Sequence, residues 1–233
     1  MGGTGANGRR RARPKTRAGR KRAETWRLKK LLAFEAGYWD QGVEFVAGVD
    51  EAGRGPLAGP VLAAAVILPP YTAIRGADDS KRLTAERREQ LFDDIRDTAV
   101  AVAIGAASTR EVDQLNILRA SHLAMARAIR KLPVQPQKVI IDGLPVPRLP
   151  YEHTAVIDGD AKVHCIACAS IVAKVVRDRL MRLLAGKYPG YGWDQNAGYG
   201  TADHRDAIIS LGLTPHHRRS FEPNFQLTLE LPV

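Results

Sequence analysis

The sequence predicts an α/β protein, a sheet of short strands covered by helices. Three observations lead there: short apolar runs that stop at turn residues, longer segments with apolar residues at helical spacing between them, and no internal repeat. Residues 43–49 read as a strand ending at Asp50, and residues 61–68 as a second, almost wholly apolar strand halted by Pro69 and Pro70. Residues 84–97 read as a helix with Leu91 and Ile95 on its apolar side. Arg87 stands where a capping box would place Glu, so the start of that helix rests on Thr84 alone. Residues 100–104 form a third predicted strand, and residues 117–132 a helix with Leu123, Ala126 and Ile129 on one stripe. A short buried strand over 138–142 ends in a carboxylate, and 154–157 is another strand. Residues 161–184 are mostly helix, 188–200 a polar loop, and 201–211 the last helix.

Of the 233 residues, 45% are hydrophobic and 26% charged, enough to bury one full core. The net charge of +10 is unevenly placed. Residues 1–30 hold 12 Lys and Arg against Glu24 alone, or +11, whereas the remainder holds 23 against 24 acids, or −1. The start of the chain, residues 1–40, therefore reads as a basic extension too poor in apolar residues to order itself, and residues 41–233 as the folded domain. Such an extension can hold phosphate backbones without reading sequence, or simply be a solvated tail. It has no apolar face of the kind a transit peptide carries before Trp26, and Ala6 breaks the myristoylation pattern. No apolar run is long enough to span a membrane. With only Cys165 and Cys168 and no disulfide framework, a cytoplasmic, monomeric protein is the expectation. These cysteines and His164 lack a second ligand pair at zinc spacing and read as packing. The ending His216-His217-Arg218-Arg219 reads as a surface or phosphate-facing stretch.

In sheets of this kind, functional residues gather where strands end, which singles out Asp50 and Asp142. The run from Gly48 to Gly59 places Asp50 and Glu51 between an apolar strand and a glycine-rich turn. Two adjacent acids are explained by a cation between them, or by Asp50 starting a turn while Glu51 points to water. A dinucleotide fingerprint does not fit, because the glycine spacing is one residue too long and Pro56 removes an amide. Along the predicted long helix, Ser170, Lys174 and Arg177 recur at helical spacing opposite Ile171, Val172, Val175 and Val176, as either a solvated face or a track for phosphates. Asp178 reads as a charge partner on that helix.

The segments 48–60, Asp79-Ser80-Lys81, 139–143, Gly159-Asp160-Ala161-Lys162, 169–179, Gly198-Tyr199-Gly200-Thr201 and 217–221, in this order, resemble the signature of ribonuclease HII, the type 2 ribonuclease H family. The resemblance spans residues 44–222. It implies the ribonuclease H fold, a mixed sheet flanked by helices with a small helical C-terminal part. It further implies that Asp50, Glu51, Asp142 and Asp160 hold divalent metal, manganese or magnesium, for which oxygen ligands are suited. Gly53, Arg54 and Gly55 match the family's sensor of the ribonucleotide 2′-hydroxyl, and Tyr199 its aromatic stacked on the following deoxyribose. Lys81, Ser170, Lys174 and Arg177 would contact the substrate backbone. The activity so implied is endonucleolytic cleavage 5′ of ribonucleotides embedded in duplex DNA, and of the RNA strand of RNA–DNA hybrids. Two alternatives remain at this point: a type 3-like enzyme acting on continuous hybrids, disfavoured by the Gly53-Arg54-Gly55 turn, and a non-catalytic nucleic-acid-binding module, disfavoured by four acids where phosphates would lie.

Overall fold

A computed structural model describes residues 16–78 and 80–221. Among these residues five strands form one sheet: β1 (Val46–Ala52), β2 (Val61–Ile67), β3 (Ala101–Ala107), β4 (Lys138–Asp142) and β5 (His153–Val156), in the order β3-β2-β1-β4-β5. The first three strands pair antiparallel, whereas β1–β4 and β4–β5 are parallel, so the sheet is mixed. Seven helices accompany it: α1 (Arg17–Trp39), α2 (Ala85–Thr98), α3 (Thr109–Leu115), α4 (Ile117–Arg130), α5 (His164–Lys187), α6 (Trp193–Asn196) and α7 (Ala202–Leu211).

The period-2 geometry of a strand explains the two layers of core. Along β2, Ala63, Ala65 and Ile67 face a cluster that includes Ala124, Ala128 and Ile129 of α4. The intervening Ala64 and Val66 face Leu91 and Ile95 of α2 and Ile171, Val172 and Val175 of α5. A strand covered on both sides needs no polar alternation, which is why residues 61–68 are continuously apolar. Helix α5 lies very close to β1. A Cβ at Gly48 would overlap the backbone of Cys165, so only glycine allows this approach.

Strand β1 begins three residues later than expected and runs on through Asp50 and Glu51, and β3 extends to Ala107. Thr84 caps α2 as expected, accepting from the Arg87 amide. Helix α3 was not anticipated, although its capping box, Ser108 with Glu111, is written in the sequence.

The larger departure concerns the basic start. Residues 1–15 lie outside the described residues, but from Arg17 onward the chain is helical and its inner face is anchored. Leu28, Leu31 and Trp39 are buried, and Trp39 belongs to a cluster with Val46, Ile140, Val163 and Ile166. Between them Glu35 is fully buried and accepts from the backbone amides of His164 (3.2 Å) and Cys165 (2.8 Å), the first residues of α5. Val163, the residue preceding that helix, supplies no side-chain cap, so a carboxylate from α1 meets the orphan amides and the positive end of the α5 dipole. Burial lifts the Glu35 carboxyl to about 7, against the pull of those amides and of the Cys165 thiol. Apolar residues at positions 28, 31, 32, 36 and 39 gave this helix an inner stripe that the surrounding charge obscured.

Candidate active site

The site is built at the end of β1 and β4. Val49 pairs with Ile141 in the parallel register, so Asp50 and Asp142, one residue on, stand on neighbouring strands, Asp142 closing β4 and Asp50 two residues before the end of β1. Asp50 is 5% exposed and accepts from the Glu51 amide at 2.7 Å. Burial, and then the charges of Glu51 and Asp142, push its carboxyl well above the ordinary range, although the Ser170 hydroxyl and the Glu51 amide oppose this. Glu51 is raised as well, chiefly by burial, with Arg54 countering through an ion pair at 3.1 Å. Asp142 accepts from the Gly159 amide at 2.6 Å, which ties β4 to the single-turn 3-10 helix Gly159–Ala161 that carries Asp160. The structure thus brings Asp50, Glu51 and Asp142 into one electrostatic group and sets Asp160 on the adjoining turn. Among the described residues, no three His, Cys, Asp or Glu side chains converge closely enough to hold a metal ion. The donor set is nonetheless all oxygen, and the mutual repulsion of buried carboxylates is what a divalent cation would relieve, so the residues fit such an ion.

The glycine turn is held from behind by two buried arginines. Arg177, 1% exposed, donates to the carbonyls of Pro60 (3.2 Å), Ala58 (3.0 Å) and Ala197 (2.9 Å). Arg218, 2% exposed, donates to those of Gly53 (2.6 Å), Arg54 (2.9 Å) and Gly59 (3.0 Å). Gly53 has φ +91°, and a Cβ there would strike the Arg177 side chain, so both backbone and packing require glycine. Burial beside Arg177 lowers Arg218 to about 9; two like charges this close are tolerable because six carbonyl acceptors surround them.

Two expectations are corrected here. Arg177 does not lie on a phosphate-facing stripe, because its guanidinium is spent on backbone carbonyls inside the protein. The ending at 216–219 is a surface stretch only in part, since His217 and Arg218 are buried while Arg219 is exposed. Ser170 is also buried, bonded to Ser80 at 3.0 Å and directed at Asp50, whereas Lys174 is partly exposed and pairs with Asp178 at 2.6 Å. Asp178, with Arg88 at 3.6 Å as a second partner, is the charge partner expected. Lys81 lies in the 3-10 turn Ser80–Arg82, but its side chain, like Asp79, lies outside the described residues.

Tyr199 is 45% exposed, and its ring borders Gly55. Its loop is pinned to the glycine turn, with the Leu57 and Ala58 amides donating to the Gly198 carbonyl at 2.8 and 3.2 Å. Beneath it lies a ring network that the sequence did not disclose. Trp193 donates to His204 Nε2 at 2.9 Å, which leaves the His204 Nδ1 proton for the Tyr199 carbonyl at 2.8 Å. His217 accepts from the Thr214 amide through Nδ1 at 2.9 Å, and its Nε2 stands 3.2 Å from His204 Nε2. His164, Cys165 and Cys168 are buried packing groups, with His164 accepting from the Ile74 amide at 2.8 Å.

Residues 47–224 match the family model described as ribonuclease HII. The chain belongs to the ribonuclease HII family. A ribonuclease HII of Cereibacter sphaeroides is 56% identical over 184 residues, 78% of this chain and 86% of its own length. One from Coxiella burnetii is 54% identical over 187 residues, 80% and 93% of the two chains. The ribonuclease H2 of Pyrococcus horikoshii superposes with a TM-score of 0.65 at 30% identity, covering 78% of this chain and 99% of that one. A Bst ribonuclease HIII solved in complex with Mn2+ shares the fold, with a TM-score of 0.66 at 18% identity, 80% of this chain and 70% of that one. The ribonuclease H fold expected from the sequence is therefore present, and the protein is a hydrolase, an endonuclease of the metal-dependent ribonuclease H class. Among the described residues, no helix is long and apolar enough to cross a membrane.

Proposed function

We propose that this ribonuclease HII cuts on the 5′ side of ribonucleotides embedded in duplex DNA, and in the RNA strand of RNA–DNA hybrids, leaving a 3′-hydroxyl and a 5′-phosphate. The observation that carries the reading is the juxtaposition of two unlike surfaces: carboxylates gathered on β1 and β4, with Asp50 buried and Glu51 and Asp142 half-buried, and a braced glycine turn bordered by Tyr199. Asp50, Glu51, Asp142 and Asp160 would hold two divalent ions, magnesium or manganese. Bound there, such ions supply Lewis acidity to the attacking water and charge neutralisation to the leaving 3′ oxygen.

The protein's own groups orient and select. Arg218 takes the carbonyls of Gly53 and Arg54 inward, which leaves the amide side of the turn for a 2′-hydroxyl, the group by which RNA differs from DNA. Arg54, with its side chain half-exposed, is placed to meet a phosphate once a cation replaces it at Glu51. Tyr199 supplies an aromatic face to the sugar that follows. Lys174 stands near the partly exposed side of α5, where it can meet the backbone, and Lys81 is assigned the same role from the resemblance alone. The protein would act as a cytoplasmic monomer on nucleic acid.

Incubating the purified protein with a duplex carrying one ribonucleotide, with manganese and then with a chelator, tests the reading. Metal-dependent cleavage yielding a 3′-hydroxyl directly 5′ of the ribonucleotide is expected. Cleavage of continuous hybrid alone would shift the reading to the type 3-like activity.

A further inference from the structure

Helix α1 has an outer face that its inner anchorage does not use. Arg22, Trp26, Lys29, Lys30 and Phe34 are all exposed, Trp26 at 60%, and their spacing of three, four and eight residues puts them on one side of the helix. Residues 17–30 hold seven Lys and Arg against Glu24 alone. Lys30 Nζ stands 5.9 Å from the Trp26 ring, so apolar and cationic groups form one surface. The flank of the same helix next to Lys30 and Phe34 reaches toward the candidate site. Arg27 pairs with Asp78 at 2.7 Å and donates to the Ala77 carbonyl at 2.9 Å. Two residues further on, Ser80 is bonded to Ser170, whose hydroxyl turns to Asp50.

We infer that the outer face of α1 is a second binding surface for the sugar-phosphate backbone of a nucleic acid duplex, outside the site that cuts. Charge complementarity selects this partner. Lys and Arg at helical spacing neutralise successive phosphates, and an exposed indole between them covers sugar surface. The stripe from Arg22 to Phe34 runs for about 18 Å, roughly half a turn of duplex. Arg27 ties it to the segment that leads into Ser80, and on this inference one duplex touches both the stripe and the site that cuts. The choice of partner rests on the proposed nuclease function, but the surface contributes to binding plain DNA as well as to binding any substrate.

The test therefore uses an uncut duplex, containing no ribonucleotide, of roughly 30 base pairs, a length chosen to span several phosphate contacts beyond the site. Trp39 and Trp193 are buried, at 7% and 0%, so acrylamide quenching of the intact protein reports mainly on Trp26. Saturating duplex is expected to protect Trp26 from quenching. The double substitution Arg22→Glu with Lys30→Glu is expected to weaken binding by about tenfold or more and to flatten the plot of log affinity against log salt by about 2, given a slope near 0.9 per phosphate. Unchanged quenching at saturation would overturn the inference, as would an unchanged affinity and salt slope in the double variant. Protection of Trp26 by vesicles of anionic phospholipid but not by duplex would overturn it in favour of a membrane surface. Because no bond is broken in this experiment, its failure is separate from a failure to cleave embedded ribonucleotides.

Discussion

The carboxylate edge and the glycine turn meet in one cleft but are held by opposite means. At the edge, Asp50, Glu51 and Asp142 crowd like charges into a buried place, and their partners are few: a serine hydroxyl, two backbone amides and one exposed arginine. At the turn, two buried guanidinium groups satisfy six carbonyls. The edge is electrostatically unfinished, which suits the cation and phosphate site proposed for it. The turn is fully braced, which suits the hydroxyl sensor proposed for it. On that proposal, chemistry draws on charge and selection on shape.

Substitutions should separate the two. Asp142→Asn is expected to lower cleavage by about 100-fold or more while leaving thermal stability equal to or slightly above wild type, since it removes charge without shape. A single-turnover assay beside a melting curve checks both, and activity above a tenth of wild type would contradict the assignment. Arg218→Ala should do the reverse. Stripped of their donor, the carbonyls of Gly53, Arg54 and Gly59 become buried and unpaired, so urea denaturation should show a loss of about 3 kcal/mol or more. If folded protein survives, its preference for a ribonucleotide over plain DNA should fall with it. Tyr199→Ala is expected to slow cleavage at a single embedded ribonucleotide by about 5- to 100-fold, from stacking worth about 1–3 kcal/mol, and to slow cleavage of a continuous hybrid much less. Equal slowing would mean that Tyr199 only holds its loop.

The ring network predicts a pH effect of its own, opposite in sign to that of the carboxylate edge. Burial is the main cause that lowers His217 from 6.5 to about 4 and also lowers His204. A histidine depressed in the folded state binds its proton more readily when unfolded, so its contribution is full above 6.5 and is lost as pH falls through about 4. The histidine contribution to the melting temperature should thus fall as pH is taken from 7 to 4.5, against the raised carboxyls of Glu35, Asp50 and Glu51, which favour the folded state over the same range; the difference between wild type and His217→Gln isolates it. The smallest effect is expected from Asp178→Asn, whose partly exposed pairs with Lys174 and Arg88 are worth about 0–1 kcal/mol; cleavage reduced by more than a few fold would place Asp178 in the reaction.

Much of this was legible from residues 43–211 because apolar period and turn residues agree locally, as in β2 and α2. The neighbourhood of Asp50 and Asp142 was legible only through the family resemblance, for it depends on parallel pairing of segments about 90 residues apart, which period does not report. Arginine was the residue most easily misread. The sequence of Arg177 or Arg218 says that a cation is present, not whether it faces phosphate or the backs of carbonyls. Only the fold brings residues 53–60 against both. The His204–His217 contact had a faint signal, aromatic and histidine residues clustered over 188–217, but no spacing rule connects them.

Glu35 has a further consequence for how the molecule can be divided. The match to the family model begins at residue 47, yet the first amides of α5 are completed by a carboxylate from residue 35. A fragment cut to the matched segment would leave the helix that buttresses β1 frayed at its first turn, next to Gly48 and the candidate site. The length matched by the family model and the length that is mechanically whole are therefore different, and anyone trimming this protein for crystallisation or fusion should retain the helix that precedes residue 47.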